Sequence, residues 1–161
     1  MDIDEFGKRV TAAEKTLYHI SKSILRDDAS CADAVQETIV TALEKRHTLK
    51  NERYFKTWLC RILINECYKM RRADKRLISL EEYMEPAARG PEQEESIIYD
   101  AIMRLKEELR LAVVLHYIDG FRTAEVADIL KLPEGTVKSR LHRARAELKA
   151  LLNDNEEVCN E

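Results

Sequence analysis

Residues Thr123–Leu152 read TAEVADILKLPEGTVKSRLHRARAELKALL, and the rest of the chain is best understood from them. Two short amphipathic segments flank a break at Lys131-Leu132-Pro133. In the first, Val126, Ala127, Ile129 and Leu130 share a face; in the second, Val137, Leu141, Ala144 and Leu148 fall at i, i+4, i+7 and i+11, the period of a helix with one buried side. Gly135, Thr136, Lys138, Ser139, His142 and Arg143 then point outward, with Arg140 and Arg145 adding to a basic surface. This is the layout of a helix-turn-helix whose second helix enters a DNA groove. The free N–H groups at the start of that helix, with the hydroxyls of Thr136 and Ser139, can hold a phosphate. Lys138, Ser139, His142 and Arg143 are placed to reach base edges, and Arg140 to neutralise phosphate.

Working outward, composition sets the fold class. Hydrophobic residues make up 45% of 161, enough for a packed core. Gly and Pro are scarce and no alternating β pattern occurs, so the chain reads as all-α. The net charge of -3 argues against a protein that coats nucleic acid unaided. Basic residues nonetheless cluster in 61–76 and 131–149 while 81–100 is acidic, a distribution suited to a DNA reader held in place by a larger partner.

The periodicity predicts helices over 4–25, 30–46 and 54–72, with Arg26-Asp27-Asp28 breaking the first and capping the second. The second helix carries Ala32, Val35, Ile39, Ala42 and Leu43 as its expected buried stripe, and Asp33, Gln36, Glu37 and Thr41 on another face. The third buries Phe55, Leu59, Ile62, Leu63, Cys67 and Met70, and lines up Arg61, Asn65, Lys69 and Arg72 as a basic ridge. Tyr54, Phe55, Trp58 and Tyr68 set rings among these charges, a mixture that fits unpaired bases. Core packing is the competing reading for Phe55 and Trp58. A Pro-, Gly- and Glu-containing stretch follows as a linker, then a helix from Ile97 through Tyr117 that ends at Asp119-Gly120. Two small helical domains are expected, at 1–76 and 97–155, with a linker at 77–96 and a polar tail at 156–161.

No Asp or Glu pairs with His or Cys at a spacing that implies nucleophilic chemistry, and neither GxxxxGK[ST] nor HExxH occurs. The expectation is a non-enzymatic protein with no cofactor and no metal. Cys31, Cys60, Cys67 and Cys159 contain no CxxC pair. Cys60 and Cys67 would stand about 10 Å apart along one helix, too far to share an ion without a further ligand. The absence of a secretory leader and of a spanning apolar run points to the cytoplasm.

Three blocks together resemble the sigma-70 family of RNA polymerase sigma factors, in its small extracytoplasmic-function (ECF) group. DASCADAVQETIVTALEK is similar to the core-binding helix, with Asp33, Gln36 and Glu37 matching D-x-x-Q-E. FKTWLCRILINECYKMRR resembles the promoter-melting, −10-reading helix, with Trp58, Leu59, Arg61, Ile62 and Asn65 matching W-L-x-R-I-x-x-N. GFRTAEVADILKLPEGTVKSRLHRARAELK resembles the −35-reading helix-turn-helix. The resemblance implies that Asp33, Gln36, Glu37 and Thr41 bind the clamp helices of the polymerase β′ subunit. It implies that Lys50, Asn51, Arg53, Trp58, Arg61, Asn65, Lys69 and Arg72 capture −10 DNA. Thr136, Lys138, Ser139, Arg140, His142 and Arg143 would read −35 DNA while their domain docks on the β flap. The linker would thread toward the polymerase cleft. The resemblance further implies control by an anti-sigma factor, often membrane-bound, which would hold the protein at the inner face of the membrane. Four positions depart from the family pattern. Lys131 stands where Gly is usual, a left-handed position costing about 1 kcal/mol for other residues. Arg122 stands where Ser or Thr commonly caps, so Thr123 is expected to cap instead. Lys106 replaces a usual Pro and Leu63 a usual Ala.

Overall fold

The α2–α3 corner illustrates how local chemistry builds this chain. Helix α2 (Glu14–Leu25) stops where Arg26 takes φ 70 and ψ -36. The Asp27 N–H then donates to the Leu25 carbonyl at 2.9 Å, closing a γ-turn. The Asp27 carboxylate accepts the Ser30 N–H at 2.8 Å and so caps α3 (Asp28–Lys45). The break and the cap are those expected of Arg26-Asp27-Asp28.

The computed structural model describes the backbone of residues 1–75 and 93–159, with side chains for 1–74 and 97–154. Among the described residues every regular element is helical: α1 (Ile3–Ala12), α2, α3, short 3₁₀ turns at Arg46–Thr48 and Glu52–Tyr54, α4 (Phe55–Lys75), α5 (Gln93–Arg104), α6 (Glu107–Val113), a π-helical turn (Val114–Ile118), α7 (Thr123–Leu130) and α8 (Glu134–Cys159). Most of the expected linker, and the path ascribed to it, lies outside the described residues.

Three local expectations change. The single helix over 4–25 is two, bent at buried Ala13 (φ -94, ψ 0), and Phe6 of α1 meets Phe55 edge-on with centroids 5.8 Å apart. On α3 the buried stripe is Cys31, Ala34, Thr38 and Ala42, while Ala32 is exposed and Val35, Ile39 and Leu43 are half-buried. Polarity misled the sequence reading here. Thr38 is fully buried because its hydroxyl donates to the Ala34 carbonyl at 2.7 Å, and the small neighbours let α2 and α4 pack close. The helix expected from Ile97 to Tyr117 breaks at Lys106, whose φ -54 and ψ 143 suit the proline that the family usually places there.

The π turn ends that segment with the Asp119 N–H donating to the Val114 carbonyl at 2.9 Å. Gly120 then takes φ 76, as Asp119-Gly120 led one to expect, and the Phe121 N–H reaches the Leu115 carbonyl at 3.0 Å. Lys131 is left-handed, φ 56 and ψ 48.

One buried apolar cluster runs through both halves of the chain, from Leu17, Ile20, Leu59 and Leu63 to Leu109, Leu115, Val126 and Val137. Each such side chain contributes about 1.5–3 kcal/mol, against about 0–1 for an exposed ion pair, so apolar packing dominates. Helix α2 packs on α6 and on the π turn, and α4 on α7. Two domains on a linker do not by themselves require this shared core. The sequence carries no local sign of it.

Candidate nucleic-acid interface

In the helix-turn-helix, α7 begins with Arg122 at the N-cap position, whose N–H donates to Glu125 Oε2 at 2.8 Å. Thr123 is therefore not the cap. It is the first helical residue, and its hydroxyl donates to Glu134 Oε1 at 2.8 Å, tying the start of α7 to the start of α8. The left-handed Lys131 lets the Leu132 N–H reach the Ala127 carbonyl at 3.0 Å and turns the chain sharply into Pro133. Val137, Leu141 and Ala144 are buried, so the opposite side of α8 faces out.

On that outer side Lys138, Ser139, His142 and Arg143 are exposed and Thr136 is half-buried. A Cβ placed on Gly135 would meet nothing within 4 Å, leaving the first turn of α8 open to a phosphate. Two arginines are turned toward their own domain. Arg140 Nη2 lies 3.5 Å from Glu108 Oε2 of α6, and Arg145 donates to the Tyr117 hydroxyl at 2.7 Å. Lys138 stands 3.7 Å from Glu134, which therefore faces both a lysine and a threonine.

On α4, Arg61, Asn65, Lys69 and Arg72 are all exposed, on the side away from buried Leu59, Leu63 and Cys67. Trp58 is half-buried, its ring centroid 5.9 Å from that of Phe55. Phe55 itself is 4% exposed and belongs to the core, as its packing alternative held. Tyr54, 53% exposed, is the ring with a free face. It stood among the aromatics in the sequence, but only burial separates it from Phe55. In the preceding connection Lys50, Asn51 and Arg53 are exposed. Asn51 Oδ1 accepts the Arg53 N–H at 3.0 Å, and Arg9 of α1 donates to the Glu52 carbonyl at 2.8 Å, so both domain and turn fix this loop.

The third surface is acidic. Asp33, Gln36 and Glu37 are exposed on α3 and Thr41 is half-buried, on the side opposite Cys31, Ala34 and Thr38. Among them sits Val40, 52% exposed, an apolar residue that the sequence pattern did not single out. Acidic residues around one exposed aliphatic side chain suit a basic, partly apolar partner surface.

Among the described residues no group of three His, Cys, Asp or Glu could hold a metal ion. Cys31, Cys60 and Cys67 are buried, and burial pushes the Cys60 and Cys67 thiols up to about 12. Also among the described residues, no helix is long and apolar enough to cross a membrane.

Comparisons with known proteins find relatives for both halves of the chain. The family model for Sigma-70 region 2 matches residues 10–77, and that for Sigma-70, region 4 matches 95–148. The ECF RNA polymerase sigma factor SigM of Mycobacterium tuberculosis is 34% identical over 141 residues, covering 86% of this chain and 72% of SigM. The ECF RNA polymerase sigma factor SigW of Bacillus subtilis is 29% identical, covering 95% and 91%. Among solved structures, the sigma factor RpoE of Bartonella quintana, in complex with the anti-sigma factor NepR, superposes with a TM-score of 0.78 at 27% identity, over 94% of this chain and 98% of that one. CnrH, in complex with the cytosolic domain of CnrY, does so with a TM-score of 0.74 at 27% identity, over 95% and 90%. Carrying both regions in order beneath these three exposed faces, the chain belongs to the sigma-70 family of RNA polymerase sigma factors, in its extracytoplasmic-function group.

Proposed function

We propose that the chain is an alternative sigma factor that acts in the cytoplasm: it binds core RNA polymerase through α3, captures −10 DNA with α4 and its preceding loop, and reads −35 DNA with α8. The observation that carries this reading is the simultaneous exposure of one acidic and two basic helix faces whose opposite sides are buried. An acidic α3 does nothing for a protein that only binds DNA, since it would repel phosphate. It suits a protein that must hold a polymerase and a promoter together. Exposed Arg61, Asn65, Lys69 and Arg72, beside Tyr54 and Trp58, offer cations for a backbone and rings for unpaired bases. On α8, Lys138, Ser139, His142 and Arg143 are the candidates for base contacts, while Arg140 is engaged with Glu108. Control by an anti-sigma factor, membrane-bound or not, fits relatives solved with NepR and CnrY.

The test is run-off transcription from genomic promoter fragments with core polymerase, with and without the chain. A promoter-specific transcript that depends on the chain is expected. Specific transcripts absent, together with no complex on a gel-filtration column, would overturn the reading.

A further inference from the structure

The loop ahead of α4 carries Lys50, Asn51, Arg53 and Tyr54, all exposed and all offered to −10 DNA in the reading above. Its own hydrogen bonds are short-range. The Arg53 N–H donates to Asn51 Oδ1 at 3.0 Å, the Tyr54 N–H to the Asn51 carbonyl at 3.1 Å, and the Thr48 hydroxyl to the Lys45 carbonyl at 2.7 Å. Bonds of this kind shape a turn without placing it against the rest of a domain. Leu49 packs on the core and fixes the start of the loop. Beyond Leu49, placement comes from α1. Arg9 Nη1 donates to the Glu52 carbonyl at 2.8 Å, and Nη2 lies 3.3 Å from Glu52 Oε2. Its Nε–H donates to Glu5 Oε1 at 2.8 Å, one turn earlier on the same helix. All three guanidinium nitrogens are engaged, and the rigid fork holds the main chain and the side chain of one loop residue together.

The same guanidinium reaches the start of α4. Its Cζ stands 5.9 Å from the centroid of the Phe55 ring, a cation over an aromatic face. Phe6 of α1 meets that ring edge-on. Two residues of α1 therefore hold Glu52 and Phe55, which bracket Arg53 and Tyr54. Charge gives Arg9 a second task. Glu52 is the one acidic residue in 46–54, and a carboxylate in a basic loop repels DNA phosphate. Arg9 offsets it, as does the Met1 amino group, 3.2 Å from Glu52 Oε1. Arg9 is 31% exposed and Glu52 48%, and ion pairs so exposed contribute little to stability. The arrangement weighs on where the loop sits more than on whether the domain folds.

Resting on the reading that this loop captures −10 DNA, we propose that Arg9 is a positioning residue for promoter recognition. Through Glu52 and Phe55 it presets the loop in the geometry that takes unpaired bases, and it cancels the loop's acidic charge, with no DNA contact of its own. A loop already held in its binding geometry avoids the cost of being ordered on binding. Without Arg9 only a fraction of the loops is competent, and the apparent affinity falls by that fraction. The contacts of α8 lie in the other domain and are untouched by this. The loss is therefore confined to −10, and −35 reading is kept.

The experiment uses the full chain, core polymerase and a promoter fragment that gives a chain-dependent run-off transcript. Transcript from that promoter is compared with transcript from its −10-substituted and −35-substituted forms. For Arg9→Gln the −10 ratio should fall about fivefold, while the −35 ratio stays within about twofold of the wild type. Affinity for core polymerase and helical circular dichroism should be unchanged. A −10 ratio equal to the wild type's, or an equal fall in both ratios, overturns the positioning role. Should Arg9→Gln fail to fold, Arg9→Lys carries the same test. It keeps a cation beside Glu5 and Phe55 but cannot span the Glu52 carbonyl and carboxylate together. A fall of about threefold in its −10 ratio is expected, and an unchanged ratio overturns the proposal. Polymerase is not needed to test the anchor itself. Trypsin should cut the native variant about fivefold faster than the wild type at Lys50 and Arg53, and equal rates overturn the anchor. If no fragment gives a chain-dependent transcript with the wild type, the functional reading fails and the promoter role with it, while trypsin still decides the anchor.

Discussion

The Thr123 hydroxyl donates to Glu134 Oε1 at 2.8 Å, joining the first turn of α7 to the first turn of α8 across the bend at Lys131. The N-terminal turns of the two helices are thereby tied to each other. Thr123→Val removes the donor and keeps the shape. It should lower the unfolding free energy by about 0.5–1.5 kcal/mol, read from a urea titration, and loosen the angle at which α8 is presented. A titration curve superposable on the wild type would mean that the bond contributes nothing in solution.

Lys131 holds a conformation that costs a side-chain-bearing residue about 1–2 kcal/mol. Glycine removes that cost but adds roughly 0.5–1 kcal/mol of unfolded-state entropy. Lys131→Gly should therefore stabilise the chain by on the order of 0.5–1 kcal/mol, visible as a higher melting temperature. A lower one would contradict the left-handed assignment.

The α3 face can be tested without disturbing the fold, since its residues are solvent-facing. Asp33→Arg with Glu37→Arg should weaken binding to core polymerase by about 100-fold or more through like-charge contacts, with helical content unchanged. Val40→Ala should cost about tenfold if this aliphatic is the apolar anchor of the face. Equal affinity for Val40→Ala and wild type would reduce Val40 to an incidental exposed residue.

Asp119 supplies a pH signature. Burial raises its carboxyl above the ordinary 3.8, outweighing His19, Thr16 and Lys56, which lower it. A raised folded-state value means that the folded chain holds this proton more tightly than the unfolded chain. The stability linked to it is complete below 3.8 and is lost as pH rises through the folded-state value. Relative to Asp119→Asn, the wild type should thus lose stability as pH rises above 3.8 and through the raised folded-state value. Denaturation across that range checks this, and a constant difference between the two chains would contradict it.

The buried thiols should be inert. With Cys60 and Cys67 pushed up to about 12 by burial, roughly one thiol in ten thousand is ionised at pH 8. Cys31, also buried, is raised for the same reason. In a Cys159→Ser background, a disulfide reagent should label none of the three in the native chain and all three in guanidinium. Rapid native labelling of Cys60 or Cys67 would reopen a redox role.

What the sequence made legible was local. The Gly120 terminus, the Asp27 cap and the outward basic rows on α4 and α8 depend on residues within one or two turns, and they stand as read, whereas the left-handed position at Lys131 was implied only by the family resemblance. The bend at Ala13, the burial of Thr38 and the exposure of Ala32 depend on what packs alongside, which periodicity cannot supply. The same holds for Tyr54 against Phe55, two adjacent aromatics with opposite fates. The contact between the two halves is the extreme case. Arg110 reads as one more charge on an amphipathic helix, and only the fold brings it to Ser23, 87 residues away.

The π turn at Val114–Ile118 has a consequence for the length of this segment. One residue in excess of the α-helical count advances everything after it by about 100° around the axis. Here that rotation delivers Asp119 to His19 while leaving Tyr117 and Ile118 on the outside. A single-codon deletion inside Val114–Ile118 would restore a plain α-helix and swing Asp119 away from its partner. Because α7 and α8 follow the turn, the same deletion would also rotate the helix-turn-helix relative to α2 and α4.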